Sequence, residues 1–384
     1  MTLLTDDMRS ALAQQFDVAG ATAIDLPILF HADLFLDLVG EDIRRRLYVA
    51  PDANGEKMAL RPEFTIPACL HHLGTGPIDR AASYGCVGPV FRQRPDGVPG
   101  EFYQAGIEQI DPQGGASFDA DSIARALAMV SNLSGATPAV TIGDNALLSA
   151  LLTALGTPVV WQRRLEGAFG DRKVLDRMLE RLAKGGSDNA DASAGLARIL
   201  DGKAGSDVRE AVEEMLDIAG LDAIGGRSVG DIAERYMEKA ELAANAGWDA
   251  DKLDLIARFL DLEGVGKQSL EQLSAFDAEQ GGLLGGALSA FNERMDAIQT
   301  AVPDGTKLRF KADFGRRLDY YSGFNFELHF DGQDKPVAGG GRYDRLLGIL
   351  AKRARLNDEN EIAAVPAIGF VVWLDRLGDT KSMA

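Results

Sequence analysis

Apolar positions follow three different rhythms along the chain. From residue 1 to about 145 helical and extended spacings alternate. DDMRSALAQQF (6–16) repeats apolar residues at helical spacing behind an acidic start, whereas DLPILF (25–30) and KMALRPEF (57–64) are short apolar runs bounded by turn residues, which predicts strands. DANG (52–55) predicts a hairpin turn, because Asn-Gly takes positive φ readily. From about 146 to 300, NALLSALLTAL, RKVLDRMLERLAK, VREAVEEMLDIAG, DIAERYMEKAELAANAG and LDLIARFLDL repeat apolar residues at three and four, with Gly-rich breaks between them. These are helices, and GGSDNADASAG (185–195) is a surface loop. From about 302 the strand pattern returns in KLRFKADF, FNFELHF and AIGFVVWL. The order predicts an α+β fold: one domain formed by 1–145 and 302–384, interrupted by a helical insertion at 146–301.

Composition narrows the class. With 384 residues, 46% hydrophobic and 26% charged, the chain carries enough apolar material for one large core or two medium ones. The start, MTLLTDDMRSALAQQ, lacks a basic region followed by an apolar core, and no window approaches the length of a membrane span, so a cytoplasmic location without membrane contact is expected. The two cysteines, Cys69 and Cys86, have no C-x-x-C and no neighbouring histidine pair; they read as small buried residues, with no metal site. A net charge of -18 runs against phosphate neutralisation and lowers the expectation of a nucleic-acid partner. His71 and His72, near a helix end, read as surface or capping residues.

The chemistry sits in polar residues placed within strand-like runs. Glu63 in LRPEFT heads into the core, where a carboxylate without a cationic partner is costly. In EFYQAGIEQI, Gln104 and Glu108 share one strand face with Gly106, whose missing side chain would leave open space between them. That face reads either as a pocket floor for a small cationic ligand or as a solvated sheet face. ADFGRRLDYYSGFNFELHF (312–330) looks like a paired strand holding two arginines, an aspartate and two tyrosines. AGGGRYDRLLG reads as a tight turn before a helix, with a phosphate cradle as the rival.

Taken in order, ATAIDLPILFHADLF with Pro27, MALRPEFT, GPVFRQRP followed by FYQAGIEQI, RRLDYYSGFNFE, GGGRYDRLL and IGFVVWLDRL resemble six segments of the histidyl-tRNA synthetases. The resemblance implies a class II aminoacyl-tRNA synthetase-like antiparallel sheet flanked by helices. It implies a histidine pocket in which Glu63, Thr65 and Gln104 hold the α-amino group, Glu108 reads the imidazole, Arg316 faces the carboxylate, and Tyr320 and Tyr321 wall the ring. An arginine fork on a carboxylate and a carboxylate on an imidazole N–H are charge-assisted contacts that suit this assignment.

The nucleotide half of the pattern departs from the family. FRQR keeps Arg92 but places Arg94 where the family has the adenine-contacting glutamate, and PDGVPGEF is short and lacks a basic residue. Trp373 precedes Leu374, Asp375 and Arg376 where the third motif has a glycine beside the adenine; the indole either fills that space or packs into the core. Arg317 replaces the glycine of R-G-L-D-Y-Y. Arg92, Arg94, Trp373 and Arg376 thus form a vestigial nucleotide site. The chain ends eight residues after Arg376, so no anticodon-binding domain and no tRNA partner are expected.

An amino-acid site kept beside a damaged nucleotide site is similar to the regulatory-subunit group of ATP phosphoribosyltransferase, paralogues of histidyl-tRNA synthetase. This resemblance implies a non-catalytic, cofactor-free chain. It would be a homodimer within a hetero-oligomer with a short-form ATP phosphoribosyltransferase catalytic subunit, would be required for that subunit's activity, and would serve histidine feedback inhibition in the first step of histidine biosynthesis. The rival readings are an ATP-dependent histidine-activating enzyme and an assembly scaffold with a vestigial pocket. The helices from 146 to 300 read either as the partner surface or as a thickening of the fold.

Overall fold

The computed structural model describes residues 4–36, 38–95, 97–184, 247–316, 320–354 and 364–377. The expected helices at 208–220 and 231–247 and the loop at 185–195 lie outside them but for Gly247, as does Arg317.

The acidic start becomes helix α1 (Asp6–Val18), where the Thr5 hydroxyl accepts from the Met8 amide and Leu12 and Phe16, one turn apart, are buried. Strands β1 (Thr22–Ala23) and β2 (Leu29–His31) and the one-turn helices α2 (Asp33–Leu36) and α3 (Glu41–Arg44) follow. β3 (Val49–Pro51) and β4 (Lys57–Leu60) form the hairpin expected at 52–55: Asp52 Oδ1 accepts from the Asn54 and Glu56 amides, and Gly55 takes φ 84°. With β2 they make a small sheet of order β2-β4-β3.

After helix α4 (Thr65–Thr75) come the paired ten-residue strands β5 (Ala82–Phe91) and β6 (Glu101–Ile110). Helix α5 (Ala116–Ser134) buries Ala120, Ile123, Ala126, Leu127 and Val130 at helical spacing against the sheet. The remaining elements are β7 (Ala139–Asp144), α6 (Asn145–Ala154), α7 (Val159–Gly167), α8 (Arg172–Lys184), α9 (Ala250–Leu260), β8 (Glu263–Val265), α10 (Lys267–Glu279), α11 (Gly285–Ala301), β9 (Leu308–Lys311), β10 (Phe324–His329), β11 (Ala338–Arg342), α12 (Leu346–Arg353) and β12 (Ala367–Trp373).

Nine strands form the main sheet, order β1-β5-β6-β12-β11-β10-β7-β9-β8. Its six central strands, β5 to β7 in that order, are antiparallel; the pairs β1–β5 and β7–β9 are parallel, so the sheet is mixed. AGGGR is neither the expected turn nor a phosphate cradle: it is the buried strand β11. Glycine is forced there by its neighbours, since a Cβ on Gly340 would lie 2.4 Å from the Gly369 carbonyl oxygen and 2.7 Å from the Phe326 ring. The run 312–330 is also not one strand. β9 and β10 flank β7 on opposite sides, so the chain must pass across the end of β7, and the Phe314 backbone does so directly over Gly143, where any Cβ would collide with its carbonyl. Arg316, Tyr320 and Tyr321 therefore sit on a connection.

The chain divides into two units, Met1–Ala150 with Leu260–Ala384, and Leu151–Phe259. In the second, Val160, Trp161 and Leu182 form a small core with Met178, Trp248 and Leu253. The boundaries differ from 145 and 302 because β8 pairs with β9 in the main sheet and α11 packs along α5. Helical spacing cannot distinguish an inserted helix from one that covers a sheet. Within the first unit, fully buried Asp119 of α5 accepts from Arg294 Nε of α11 at 2.5 Å and from Arg342 Nε of β11 at 2.6 Å, while Arg294 also reaches Asp144 at the end of β7. Among the described residues no helix is long and apolar enough to cross a membrane.

Candidate functional site

Helix α4 organises the site. Its N-cap residue, Phe64, has no side chain able to cap, and the preceding Glu63 does the work instead: its carboxylate accepts from the Thr65 amide at 2.5 Å and the Ile66 amide at 3.1 Å. Free amides and the helix dipole stabilise a carboxylate at this end. The partner expected for buried Glu63 is thus a helix terminus rather than a cation. Arg92 lends its charge nearby, but its Nε donates to the Pro62 carbonyl at 2.8 Å.

Glu108, on β6, points at the same helix end. The Thr65 hydroxyl donates to its Oε1 at 2.7 Å, and the Tyr343 hydroxyl to its Oε2 at 2.6 Å. Tyr343 follows β11 in GGGRYD and is a site residue that its local sequence does not mark. Burial drives the Glu108 carboxyl up to about 8, with the two hydroxyls pulling it down and Glu63 pushing it further up. Burial also raises Glu63, against the pull of the helix amides.

Across the pocket, Tyr320 reaches Glu63 at 3.4 Å and stacks obliquely on Tyr321, ring centroids 5.2 Å apart. Arg316 Nη1 donates to the Tyr321 hydroxyl at 2.7 Å, and its Nε lies 3.6 Å from Glu327. Burial works against the Arg316 charge, but Tyr321 and Glu327 hold its pKa above the ordinary value. Two glycines make room for the charged groups: a Cβ on Gly369 would lie 1.8 Å from Glu108 Oε2, and one on Gly339 3.1 Å from Arg316 Cζ.

Glu63, Thr65, Arg92, Glu108, Arg316, Tyr320 and Tyr321 are thereby brought together around a cavity of about 10 Å³. A volume of this size accommodates a single water at most. Gln104 is on the same strand face but outside that lining, opposite Trp373 in register, and neither its amide nitrogen nor its oxygen has a hydrogen-bond partner among the described residues. Gly106 does not open the face as expected: the Phe370 carbonyl of β12 lies 2.1 Å from where its Cβ would be.

The four residues of the nucleotide half each have a protein partner: Arg92 donates to the Pro62 carbonyl, and Trp373 and Arg376 meet each other. Arg94 pairs with Asp375 at 3.2 Å and stacks on Phe102 at 3.8 Å. Trp373 is buried in a cluster with Leu26, Phe64, Val90 and Phe102. Its indole also meets the guanidinium groups of Arg376, 4.2 Å from the ring centroid, and Arg316, at 5.6 Å. Arg376 donates to the Pro336 carbonyl. Burial lowers both Arg92 and Arg376 to about 10, the former helped by Arg46 and the latter opposed by Asp375.

Cys69 and Cys86 are free and buried, as expected. His72 is not a surface residue: it is fully buried, with Nδ1 3.0 Å from the Tyr84 hydroxyl and Nε2 3.1 Å from the Ile78 carbonyl. The helix it lies on continues past it to Thr75, which turns its face inward.

Comparison with known proteins places this geometry in a family. The family model described as histidyl-tRNA synthetase matches residues 4–219 and 212–377. ATP phosphoribosyltransferase regulatory subunits from Sinorhizobium medicae and Mesorhizobium japonicum are 38% and 39% identical over 372 and 378 residues, covering 95% and 97% of both chains. A crystal structure described as an ATP phosphoribosyltransferase regulatory subunit/histidyl-tRNA synthetase from Bacillus halodurans superposes with a TM-score of 0.62 at 20% identity, over 99% of this chain and 81% of that one. A histidine–tRNA ligase subunit from Alicyclobacillus acidocaldarius gives 0.55 at 17% identity, over 100% and 96%. The last two establish the fold alone.

Proposed function

Since the chain belongs to the ATP phosphoribosyltransferase regulatory subunits, within the wider histidyl-tRNA synthetase family, we propose that it supports a short-form catalytic subunit of that enzyme and carries histidine feedback to it. It is a regulatory subunit, not the catalyst. The near full-length identity to such subunits is the observation that carries this reading.

The ligand reading rests on the pocket. Glu63 and Glu108 bring two carboxyls, and Arg316 a guanidinium, to the lining of one cavity, a set of charges that suits a zwitterion bearing an additional N–H donor. Glu63 and Thr65, with Gln104, would take the α-ammonium, Glu108 the imidazole and Arg316 the carboxylate, between Tyr320 and Tyr321. The Gln104 side-chain oxygen, unpaired among the described residues but outside the cavity lining, would accept from the ammonium only once the pocket opens; left unsatisfied, a buried acceptor costs about 1–3 kcal/mol. Histidine is far larger than 10 Å³, so binding requires the walls to part. Regulation has its physical basis there: a ligand that fits only the opened pocket shifts the population toward it, and a difference of about 1–3 kcal/mol between active and inhibited assemblies is a useful response. The assembly is a homodimer of this chain inside a hetero-oligomer.

Co-purification with a short catalytic subunit, followed by phosphoribosyl-transfer assays with and without this chain and across a histidine series, tests the proposal. Activity that appears only with this chain and falls with histidine is expected. A catalytic subunit indifferent to the chain overturns the regulatory reading, and histidine-dependent exchange of pyrophosphate into ATP by the chain alone would restore the enzyme reading.

A further inference from the structure

Two buried carboxyls meet at one hydroxyl. Thr65 Oγ1 lies 2.7 Å from Glu108 Oε1, and the same hydroxyl interacts with the Glu63 carboxyl, which the Thr65 and Ile66 amides hold from the other side. Glu63 is 3% and Glu108 2% exposed.

The groups facing the pair come from every side. From β11 and the connection before β10 come three phenols, Tyr343 on Glu108 Oε2, Tyr320 toward Glu63 and Tyr321 behind them. From α4 and β5 come the thiols of Cys69 and Cys86, which burial keeps neutral. The cations are Arg92 and Arg316, and among the described residues neither makes a hydrogen bond or ion pair to either carboxyl. Arg92 is bound to Pro62, and Arg316 to Tyr321 with Glu327 alongside.

Two ionised carboxylates sharing a site without a directly paired cation repel each other, and such a pair retains a proton well above the ordinary carboxyl range. A hydroxyl donates only once. With Glu108 ionised the Thr65 hydroxyl donates to its Oε1; with Glu108 protonated that bond reverses, the carboxyl O–H donating to Thr65 Oγ1, Thr65 donating to Glu63 and Tyr343 to the second oxygen of Glu108, so every proton in the chain has an acceptor.

We infer that the empty pocket holds one proton on the Glu63–Thr65–Glu108 chain, and that a ligand bringing an ammonium and an imidazole N–H displaces it to solvent. The Glu108 O–H bond breaks, its electron pair stays on the carboxylate, and the proton passes to buffer while the ligand donors take its place. Thr65 is the positioning residue of this exchange. The value of about 8 to which burial brings Glu108 agrees with a proton held at neutral pH. The identity of the ligand rests on the histidine reading above; the retained proton does not.

Calorimetry of histidine binding to the full chain at about pH 7, in two buffers of different ionisation enthalpy, measures the proton count. Release of about one proton per histidine is expected, falling toward zero in Glu108→Gln. Equal heats in both buffers, or undiminished release in Glu108→Gln, overturn the inference. A chain that takes up no histidine at all sinks the histidine reading instead, and the ligand-free protein then decides. Glu108 has a folded pKa of about 8 against an ordinary 4.5, so the native state binds the extra proton in that window and stability falls as pH rises through it. The thermal midpoint of the wild-type chain should therefore drop relative to Glu108→Gln between about pH 6 and pH 9. Parallel pH profiles overturn the inference.

Discussion

The Glu108 carboxylate lies where a side chain on Gly369 would be: a Cβ there would come 1.8 Å from Oε2 and 2.5 Å from Cδ. The two residues face each other in register across β6 and β12. Backbone conformation does not require the glycine, since Gly369 is absent from the positive-φ glycines, so the position is constrained by space alone. Gly369→Ala should evict Glu108 from its place between Thr65 and Tyr343. Histidine affinity is expected to fall more than about tenfold, with a stability loss of about 1–3 kcal/mol from overpacking. Calorimetry paired with denaturant unfolding checks both; wild-type affinity in a folded variant would remove Glu108 from the recognition site.

Tyr343 should matter through one oxygen atom. Tyr343→Phe keeps the buried ring, which sits edge-on to Tyr320 at 6.3 Å, and deletes the donor to Glu108 Oε2. That hydrogen bond pulls the Glu108 carboxyl down, so its loss should move the carboxyl titration to higher pH and cost about 1–3 kcal/mol when Glu108 is ionised. The difference from wild type should therefore widen as pH rises toward 9 and narrow toward pH 6, about where Glu108 is protonated in both. Thermal midpoints of the two proteins across that range are the measurement, and a constant gap would contradict the assignment.

What was legible in the sequence was what depends on neighbours along the chain. The strand-like runs EFYQAGIEQI, FNFELHF and AIGFVVWL gave β6, β10 and β12, and the helical repeats gave α6, α8 and α9. Two of the misreadings share one physical cause, contact across long separations. AGGGR carries no strand propensity, and its glycines are explained by what lies against each: Arg316 at Gly339, the Gly369 carbonyl and the Phe326 ring at Gly340, and the Phe324 carbonyl at Gly341. The residues around Tyr320 and Tyr321 look strand-like beside β10, yet the need to pass over β7 makes them a connection. Glu63 differs: its partner is local, the start of α4, which Pro67 in the first turn signals and which removes the need for a cation. Six of the seven expected ligand residues line one cavity; Gln104 lies beyond it, because its register places it opposite Trp373.

Asp119 is 223 residues from Arg342 and 175 from Arg294, so no local pattern announces their pairing. One carboxylate, fully buried, accepts from both guanidinium groups and joins α5 to α11 and β11. Removing it leaves two mostly buried cations short of a counter-charge, although Arg294 keeps Asp144 and Arg342 keeps Asp344. Asp119→Ala should cost about 3–5 kcal/mol, the range for breaking a buried ion pair from one side. Chemical unfolding measures this, and a loss below 1 kcal/mol, about that of a surface pair, would mean that Asp144 and Asp344 compensate.

His72 should make the protein acid-sensitive with a sign opposite to that of Glu108. The Ile78 carbonyl only accepts, so Nε2 carries the hydrogen and Nδ1 accepts from the Tyr84 hydroxyl, which in turn accepts from Arg80 Nη2 at 2.7 Å. A proton on Nδ1 would point a second cationic donor at that hydroxyl. Burial is the main cause holding the His72 pKa below its ordinary 6.5, with the Ile78 carbonyl opposing and Arg80 and His71 assisting. The unfolded chain therefore binds this proton first, and the contribution of neutral His72 is lost as pH falls below 6.5, at up to about 1.4 kcal/mol per pH unit. Glu108 gains stability over the same interval, so the wild-type profile alone would hide the effect. The difference between wild type and His72→Gln isolates it: the wild type should lose ground to the variant from about pH 7 to pH 5 in thermal unfolding. A wild type that instead gains on the variant as the solution is acidified would mean that the charged imidazolium is the stabilised form.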